Sequence, residues 1–509
     1  MEKVIRYVIF AVIAFGMVVE AGVGLATSEE ADVVVAGAGA AGLSAALTAS
    51  NGGAKVILFE KMPTPGGTTN FAEGLFAAES VLQREHLAGP TKDEAFKDAM
   101  KFNHWRANPD IVRTFIDKSA DTIDWLMSLG VEFEPFAPGA MWPEGPRTWH
   151  IVKGHGAALI KTLIARVAEN KNITIYYSTP VKQLITDDKN RVVGAVAEDK
   201  SGNILEVKAK AVILSTAGFA NNAEWMKKYT GQGDNVVPVG QMKKMGDGIR
   251  MGMEVGAETV NMETLQYLGV VGVDVGLMSP ITAALWQPSN VWVNAFGKRF
   301  CDEATIAWEW TFSGNIINQQ KDGVAYVVFD ESILKSFMER GIIQGIGVIV
   351  PPASKLAGLD KALETAVSKG SVHIAGSVEE LSDKIKVDKQ TLVATVKNYN
   401  DFCGKGHDDG YAKDQQYLWP LKGPKYYAVR VKPAHIGTLG GLKINEKAEV
   451  INKSWEAIPG LYAAGTCTGG YEGDTYDLGT SGGTLGYAIN TGRIAGESAL
   501  KSIRKMSEP

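Results

Sequence analysis

The stretch from Val33 to Glu60 constrains the fold more than any other part of the chain. It consists of an apolar run, the turn Gly37-Ala38-Gly39-Ala40-Ala41-Gly42, a helical segment, a second apolar run and an acidic residue at its end. In such a unit Gly37 permits a tight turn, Gly39 lets the backbone approach a pyrophosphate, and Gly42 lets the helix pack closely on the strand. The pattern therefore predicts a dinucleotide-binding βαβ unit.

The residues around this turn predict where a dinucleotide would lie. Phosphates are expected at the N-terminus of the helix, beside Ala41, where free N–H groups and the helix dipole favour negative charge. Glu60 follows the last glycine at about 18 residues, close to the spacing at which a carboxylate binds a ribose hydroxyl. Lys61 and the loop Gly66-Gly67-Thr68-Thr69 come directly after it, so we expect this segment to wrap the cofactor.

Composition narrows the class of protein. A chain of 509 residues, 45% of them hydrophobic, can bury a large core and form two domains. Its formal charge of −5, with no Lys/Arg run interleaved with aromatic residues, argues against nucleic acid as a partner. The chain has three cysteines, Cys301, Cys403 and Cys467, which are too few and too scattered for a disulfide framework or a metal cluster. The sequence contains no CxxCH motif, which is the pattern that attaches a haem. We expect no metal site, and a haem only in a partner chain.

The N-terminus has the pattern of a secretory signal. Lys3 and Arg6 precede an apolar run over 7–19, and small residues follow at Gly24 and Ala26. We predict a signal peptide over residues 1–26 and export, with the periplasm as the expected location. The run is shorter than the roughly 20 residues that span a bilayer, although an uncleaved anchor is the alternative. No integral membrane domain is expected in the mature chain.

The rest of the chain alternates helical and strand patterns, which indicates an α/β fold. Two apolar segments far apart in sequence end in small-residue turns, one at Gly218 and the other at Gly465, and both are typical of loops that approach a flat ligand. This predicts one cofactor domain split by an insertion. The predicted divisions are 30–262 and 434–509 for the two parts of the cofactor domain and 263–433 for the insertion. Helices are predicted at 93–103, 109–129 and about 157–169, and strands within 173–197 and 205–214.

Seven motifs in order resemble one family. Besides the glycine turn with Glu60 and the GGTT loop, they are Gly246-Asp247-Gly248, Gly297-Lys298-Arg299-Phe300, Thr438-Leu439-Gly440-Gly441, the block at 458–465 and Gly492-Arg493-Ile494-Ala495-Gly496. The chain resembles the flavoprotein subunits of fumarate reductase and succinate dehydrogenase, nearer the soluble secreted branch of flavocytochrome c fumarate reductases and urocanate reductase.

The resemblance implies FAD, a Rossmann-like FAD-binding domain and an inserted α+β capping domain, with substrate held between cap and flavin. It extends the cofactor-binding set to Gly218, Asp247, Gly465, Thr480, Ser481 and Gly482. Respiratory members attach the flavin to a histidine in the GG loop. Residues 66–70 contain no histidine, so we expect noncovalent FAD.

The substrate positions depart from the family pattern. The arginine proton donor of fumarate reductases corresponds to Ala307, a cap histidine corresponds to Leu268, and the C-terminal arginine falls within 478–483, where no arginine occurs. Gly437 precedes Thr438 where the family has a histidine. Losing both guanidinium groups removes the carboxylate clamp and the usual proton donor, which indicates a small-molecule substrate other than fumarate.

Five residues are candidates for catalysis. Tyr471, Tyr476 and Asp477 belong to the glycine-rich loop 469–483, which leads into the final helix and is predicted to lie near the flavin. His435 lies at the predicted hinge, and Tyr267 is next to the lost histidine position. Each tyrosine could instead be a packed residue with a satisfied hydroxyl, and His435 a hydrogen-bonded core histidine.

These features predict a secreted FAD-dependent oxidoreductase that passes hydride between the flavin and a conjugated C=C bond, such as that of an aryl or alkyl enoate. Electrons are expected from a separate c-type cytochrome, because the chain would be exported and attaches no haem. One alternative is a dehydrogenase that introduces a C=C bond next to a ketone, since Tyr-x-x-Gly-Thr-Ser is similar to a motif of flavin-dependent ketosteroid dehydrogenases. The other is a flavin electron-transfer subunit without its own substrate.

Overall fold

The computed structural model describes residues 26–136, 138–140, 145–240, 243–307, 309–347 and 350–507. The predicted signal peptide lies outside these residues except for Ala26, where the first strand begins.

Strands and helices alternate through the first half of the described chain. The strands are β1 (Ala26–Ala36), β2 (Val56–Phe59), β3 (Gly74–Phe76), β4 (Trp149–Ile151), β5 (Ile173–Tyr176), β6 (Val181–Thr186), β7 (Val192–Glu198), β8 (Ile204–Leu214), β9 (Val237–Pro238), β10 (Thr259–Val260), β11 (Leu265–Gly272), β12 (Val291–Asn294), β13 (Ala325–Asp330), β14 (Val372–Ala375), β15 (Tyr426–Thr438), β16 (Gly441–Leu442), β17 (Glu449–Ile451) and β18 (Ala457–Ala463). The helices are α1 (Ala40–Asn51), α2 (Val81–Glu85), α3 (Lys92–Phe102), α4 (Pro109–Ser128), α5 (His155–Glu169), α6 (Ala223–Trp225), α7 (Asp247–Glu254), α8 (Pro280–Leu285), α9 (Phe312–Asn318), α10 (Glu331–Glu339), α11 (Leu359–Val367), α12 (Val378–Ile385), α13 (Lys389–Lys405) and α14 (Gly483–Ser507). The predicted α/β class is confirmed.

Eight of the described strands form the main sheet. Its order is β17-β18-β8-β1-β2-β5, with β7 paired to β8 and β6 to β7. β1, β2, β5, β8 and β18 run parallel, and the register places Ala36 opposite Phe59 on one side and Leu214 on the other. The carboxyl ends of these strands therefore meet at one edge, where the ligands of open α/β sheets bind.

Close helix packing covers this edge. A Cβ added at Gly492 of α14 would lie 2.2 Å from the backbone oxygen of Ala41 in α1, and one at Gly496 would lie 2.8 Å from that of Ala45. The glycines let the two helices approach more closely than larger residues would. This fixes the middle of α14 against the first turns of α1.

Local signals set the helix bounds. The side chain of Asn108 accepts hydrogen bonds from the N–H groups of Asp110 and Ile111 at the start of α4, and Pro109 occupies its first turn. Gly130, with φ of 91°, follows the end of α4. The predicted helix at 109–129 matches α4 within one residue. α5 begins two residues before the predicted 157 because Gly154 is its left-handed N-cap.

Six of the described strands form a second sheet centred on β15. β15 pairs with β11, β13, β14 and β9, and β12 pairs with β13. β15 continues beyond residue 433, and β9 joins this sheet from the first part of the chain, so the sheet extends past the predicted insertion on both sides. No helix of the described residues has the length and apolarity needed to cross a membrane.

Candidate active site

The glycine turn has the shape that the sequence predicts. Gly37 has φ of +104°, and a Cβ there would lie 2.5 Å from the backbone oxygen of Ser215. A Cβ at Gly42 would lie 1.8 Å from the backbone oxygen of Gly37. Gly39 is the N-cap of α1 and makes no side-chain cap, while Ala41 lies in the first turn of this helix. First-turn N–H groups have no partner within their helix, so this end is suited to a pyrophosphate.

The second glycine loop lies against the first. Gly66 N–H donates to the carbonyl of Ala38 at 2.8 Å, and the hydroxyl of Thr69 accepts from Ala40 N–H at 3.2 Å. Gly66 and Gly67 both have positive φ, and Gly67 and Thr68 begin a short 3₁₀ turn that ends at Phe71. The loop is thereby fixed beside the N-terminus of α1, where it can flank a bound phosphate.

Glu60 and Lys61 lie at the end of β2 as predicted, with contacts that the sequence did not reveal. The carboxylate of Glu60 accepts from Ala38 N–H at 2.8 Å and from Met62 N–H at 2.7 Å. A carboxylate has about four acceptor sites, so two remain for ribose hydroxyls. Lys61 and Asp247 form an ion pair at 2.7 Å, which brings two predicted cofactor residues together.

The remaining predicted cofactor residues surround the same strand edge. A Cβ at Gly218 would lie 2.0 Å from the Thr438 hydroxyl oxygen, and one at Gly465 would lie 3.0 Å from the Cβ of Ala41. At the entry to α14, Gly482 accepts a hydrogen bond from Phe76 N–H at 3.0 Å. The hydroxyls of Thr480 and Ser481 donate to the backbone oxygens of the residues three positions before them. Backbone therefore approaches the ligand space from three separate segments.

Tyr471 and Tyr476 share one buried hydroxyl network at the first turn of α14. The Tyr471 hydroxyl lies 3.1 Å from that of Thr484, and Gln266 donates to Thr484 at 2.9 Å. The Tyr476 hydroxyl interacts with Thr484 and Gln266. Burial raises the pKa of Tyr476 to about 12 and raises that of Tyr471 well above its usual value. Both phenols thus stay protonated and can donate at any physiological pH.

Tyr267 and His435 are backbone partners in β11 and β15, yet neither side chain joins this network. The Tyr267 hydroxyl accepts from the Asn318 amide at 2.6 Å. His435 is 1% exposed, and its Nδ1 has no partner among the described residues. Burial, together with the charge of Lys244, lowers the pKa of His435 to about 4. The imidazole is therefore neutral near pH 7.

Sequence reasoning missed Lys244. Its Nζ donates to the carbonyl of Ile436, and a Cβ at Gly437 would lie 3.8 Å from this nitrogen. Burial lowers the pKa of Lys244 to about 8. The lysine precedes the Gly246-Asp247-Gly248 motif without being part of it, so nothing in the sequence marks it as buried.

Asp477 belongs to a second cluster, which contains two further acids that sequence reasoning also missed. Asp477, Glu309 and Glu472 are each at most 3% exposed. Burial raises the pKa of Asp477 to about 7 and that of Glu309 to about 8, and it raises that of Glu472 well above its usual value. The charged groups that act most strongly on the three are carboxylates, including Asp98. We call Glu309, Glu472 and Asp477 the acid cluster.

The acid cluster has few internal partners. The hydroxyl of Thr311 donates to Glu309, and Asp477 accepts from Gly479 N–H at 2.7 Å. Glu472 accepts from Asp477 N–H at 3.3 Å through one oxygen, while its other oxygen has no partner among the described residues. No group of three or more His, Cys, Asp and Glu side chains in the described ranges is placed to hold a metal ion. Glu309 stands between aromatic residues in an apolar segment, a context that could have marked it as a buried acid.

Two cavities meet beside this cluster. The inner cavity has a volume of about 300 Å³ and is lined by Glu309, Asp477, Gly479, Thr480, Asp98, Thr148, Phe76, Phe102, Phe312, Pro90, Pro146 and Ala95. The outer cavity, about 730 Å³, shares Asp98, Phe102 and Phe312 with it and adds Tyr267, Thr475 and Asp474 among others. The rings of Phe102 and Phe312 stack at 5.7 Å between centroids. The inner cavity therefore combines aromatic walls with buried acids.

Comparison with known proteins identifies relatives along nearly the whole chain. A family model described as an FAD binding domain matches residues 32–482. The chain is 31% identical over 494 residues to a vinyl phenol reductase of Lactiplantibacillus plantarum, covering 95% of this chain and 99% of that protein.

Two solved structures have a similar fold over most of the chain. The open conformation of a flavocytochrome c3 fumarate reductase superposes with a TM-score of 0.71 at 28% identity, covering 93% of this chain and 79% of that one. A 3-ketosteroid-Δ4-(5α)-dehydrogenase from Rhodococcus jostii RHA1 superposes with a TM-score of 0.73 at 25% identity, covering 93% and 97%.

Proposed function

The chain belongs to the FAD-binding domain family of the fumarate reductase flavoproteins, and from this premise we propose that it reduces the C=C bond of an uncharged, aryl-conjugated alkene. The family and the FAD cofactor predicted from the motifs are confirmed, and the enzyme is an FAD-dependent oxidoreductase of a family that acts on C=C bonds. The substrate, the direction of reaction and the residues that act on it are our proposal.

The observation that carries the substrate proposal is the lining of the inner cavity. Its described residues include Glu309 and Asp477 but no lysine or arginine. A carboxylate substrate would need a cation or a bidentate guanidinium to offset its desolvation. The rings of Phe76, Phe102 and Phe312 instead favour an aromatic, uncharged molecule. Similarity to a vinyl phenol reductase supports the same class.

The residues at the first turn of α14 have a role in this proposal. FAD, when bound, supplies the hydride to one carbon of the C=C bond. Tyr471 and Tyr476 remain protonated but line neither cavity, so we assign them to positioning the first turn of α14 and not to contact with the substrate. Gln266 and Thr484 complete this network and hold the two hydroxyls in place.

We extend the proposal to binding, domains and location. The glycine turn, Glu60, Lys61, Asp247 and the entry to α14 hold FAD without a covalent bond. The FAD-binding domain comprises 30–262 and 434–509, with a capping domain at 263–433.

Residues 1–26 direct export to the periplasm, and a separate c-type cytochrome supplies electrons. The similarity to a flavocytochrome supports the last point.

An anaerobic half-reaction tests the substrate class. The holoenzyme is reduced chemically and mixed with 4-vinylphenol, 4-vinylanisole, cinnamate or fumarate while reoxidation of the flavin is followed. We expect rapid reoxidation by the two neutral aryl alkenes and slow reoxidation by the carboxylates. Faster reoxidation by fumarate or cinnamate than by 4-vinylphenol would contradict the proposal.

A second candidate is a dehydrogenase that introduces a C=C bond next to a ketone. The ketosteroid dehydrogenase structure and the Tyr476-containing loop favour it. Oxidised holoenzyme that is bleached anaerobically by a saturated 3-ketosteroid, and reduced holoenzyme that no alkene reoxidises, would establish this direction. Reoxidation only by a cytochrome would favour the electron-transfer subunit.

A further inference from the structure

We propose that Glu309 is the proton donor of the reduction and that Asp98, acting through Asp477, reprotonates it from solvent. The inference rests on the proposed function. Reducing a C=C bond adds a hydride and a proton to neighbouring carbons: the reduced cofactor supplies the hydride and its electron pair, and an acid supplies the proton. The products are a saturated CH–CH unit, oxidised flavin and the carboxylate of Glu309, which a solvent proton then neutralises.

Position favours the acids that line the inner cavity over the two tyrosines. The inner cavity is lined by Glu309 and Asp477, whereas Tyr471 and Tyr476 are absent from the described lining of both cavities. The tyrosine hydroxyls are engaged with Thr484. A group that protonates a carbon must reach it directly or through one water. A substrate in the inner cavity would therefore contact the carboxyl of Glu309 before either phenol.

The protonation state also fits. Asp477, Glu472 and Asp98 face Glu309 or its neighbours, and no cation is among the groups that act most strongly on this cluster. Burial, with the negative charge of Asp477, keeps the pKa of Glu309 near 8. It therefore holds a proton at pH 7. Its Oε1 accepts from the Thr311 hydroxyl, which fixes the carboxyl group.

The two cavities provide a route from solvent. Asp98 is exposed and lines both cavities. Its charge acts on Asp477, which lines the inner cavity with Glu309. In the outer cavity, Thr475 is 5% exposed and its hydroxyl has no partner among the described residues. That unpaired hydroxyl would bind a water or a polar group entering from outside.

Single-turnover kinetics test the donor. Reduced wild-type, Glu309→Gln and Glu309→Asp holoenzymes are mixed anaerobically with 4-vinylphenol, and separately with ferricyanide, which accepts electrons without protonation of carbon. We expect Glu309→Gln to slow reoxidation by the alkene at least 100-fold, a loss typical of general acids, with reoxidation by ferricyanide at the wild-type rate. Glu309→Asp should recover part of the rate. Reoxidation of reduced Glu309→Gln by 4-vinylphenol at the wild-type rate would overturn the proposal.

Two further measurements separate this inference from its premise. Infrared spectra at pH 7 should show a protonated carboxyl band that Glu309→Gln lacks, whatever the substrate, and an ionised Glu309 would refute the donor. Asp98→Asn should slow steady-state turnover more than it slows the first turnover, because the first turnover uses the proton already stored on Glu309. Equal steady-state rates of Asp98→Asn and the wild type would show that Asp98 is not on the path by which Glu309 is reprotonated. If the wild type reacts with ferricyanide but with no alkene, the proposed function fails.

Discussion

The acid cluster predicts an unusual dependence of stability on pH, and one isosteric change should remove the part of it that is due to Glu309. Folding raises the pKa of Glu309 from 4.5 to about 8. Between these values the folded protein binds more protons than the unfolded chain, so the free energy of unfolding falls as pH rises. A pKa that differs by one between the folded and unfolded states corresponds to about 1.4 kcal/mol of stability. Raising the pH from 5 to 8 should therefore remove about 3 to 4 kcal/mol of stability through this group.

Glu309→Gln abolishes the titration and retains an oxygen that can accept from the Thr311 hydroxyl. We expect the free energy of unfolding of the variant, relative to wild type, to rise by about 3 to 4 kcal/mol over the same pH range. The assay is urea unfolding of the holoenzyme at fixed free FAD, followed by circular dichroism and flavin fluorescence at several pH values.

Glu85→Gln is the matched control for this experiment, because Glu85 lies exposed at the end of α2. Its stability should follow the wild-type curve at every pH. Parallel curves for wild type and Glu309→Gln would refute the reasoning, since they would mean that folding does not shift the titration of Glu309.

Four other outcomes are expected. Gly42→Ala should yield protein without bound flavin, measured by its visible absorbance after purification, because the new Cβ would lie 1.8 Å from the oxygen of Gly37. Lys61→Met should weaken FAD binding several-fold in titrations of the apoprotein, since it breaks the pair with Asp247. Tyr476→Phe should lower the rate of alkene reduction at least tenfold at unchanged flavin content. A variant that turns over at the wild-type rate would show that Tyr476 serves only in packing. His435→Gln should leave the pH profile of turnover unchanged from about pH 6 to 9, because the pKa of His435 is near 4. A variant that lost the acidic or basic decline of the wild-type profile in this range would contradict that value.

The parts of the fold set by neighbours in sequence were predictable. The strand, turn and helix around Gly37 to Gly42 follow from backbone sterics, and Asn108 with Pro109 marks the start of α4. The contacts of Glu60 were not predictable in the same way. Its spacing indicated a ribose ligand, yet which N–H groups its carboxylate accepts from depends on how β1 and β2 align.

The candidate site was predictable only where a motif carried it. The loop 469–483 drew attention to Tyr471, Tyr476 and Asp477, and the structure places the two tyrosines in one network. Glu309 is far from that loop in sequence, and its raised pKa arises from burial beside Asp477. Charge context of this kind exists only after folding, so sequence motifs do not encode it. The same holds for Lys244, which lies outside the regular elements and whose partner Ile436 is on β15, far away in sequence.

The acid cluster also explains why no arginine is found among the described residues that line the inner cavity. Two charges about 4 Å apart interact by about 4 kcal/mol at the effective dielectric of partly buried sites. An arginine in the inner cavity would attract a carboxylate substrate by this order, whereas an ionised Glu309 would repel it by as much. Such an arginine would also hold Glu309 ionised, since a nearby cation lowers the pKa of a carboxyl group. A buried acid that stores a proton therefore requires a cavity without a cation, and the absence of the clamp and the presence of the donor follow from one electrostatic condition.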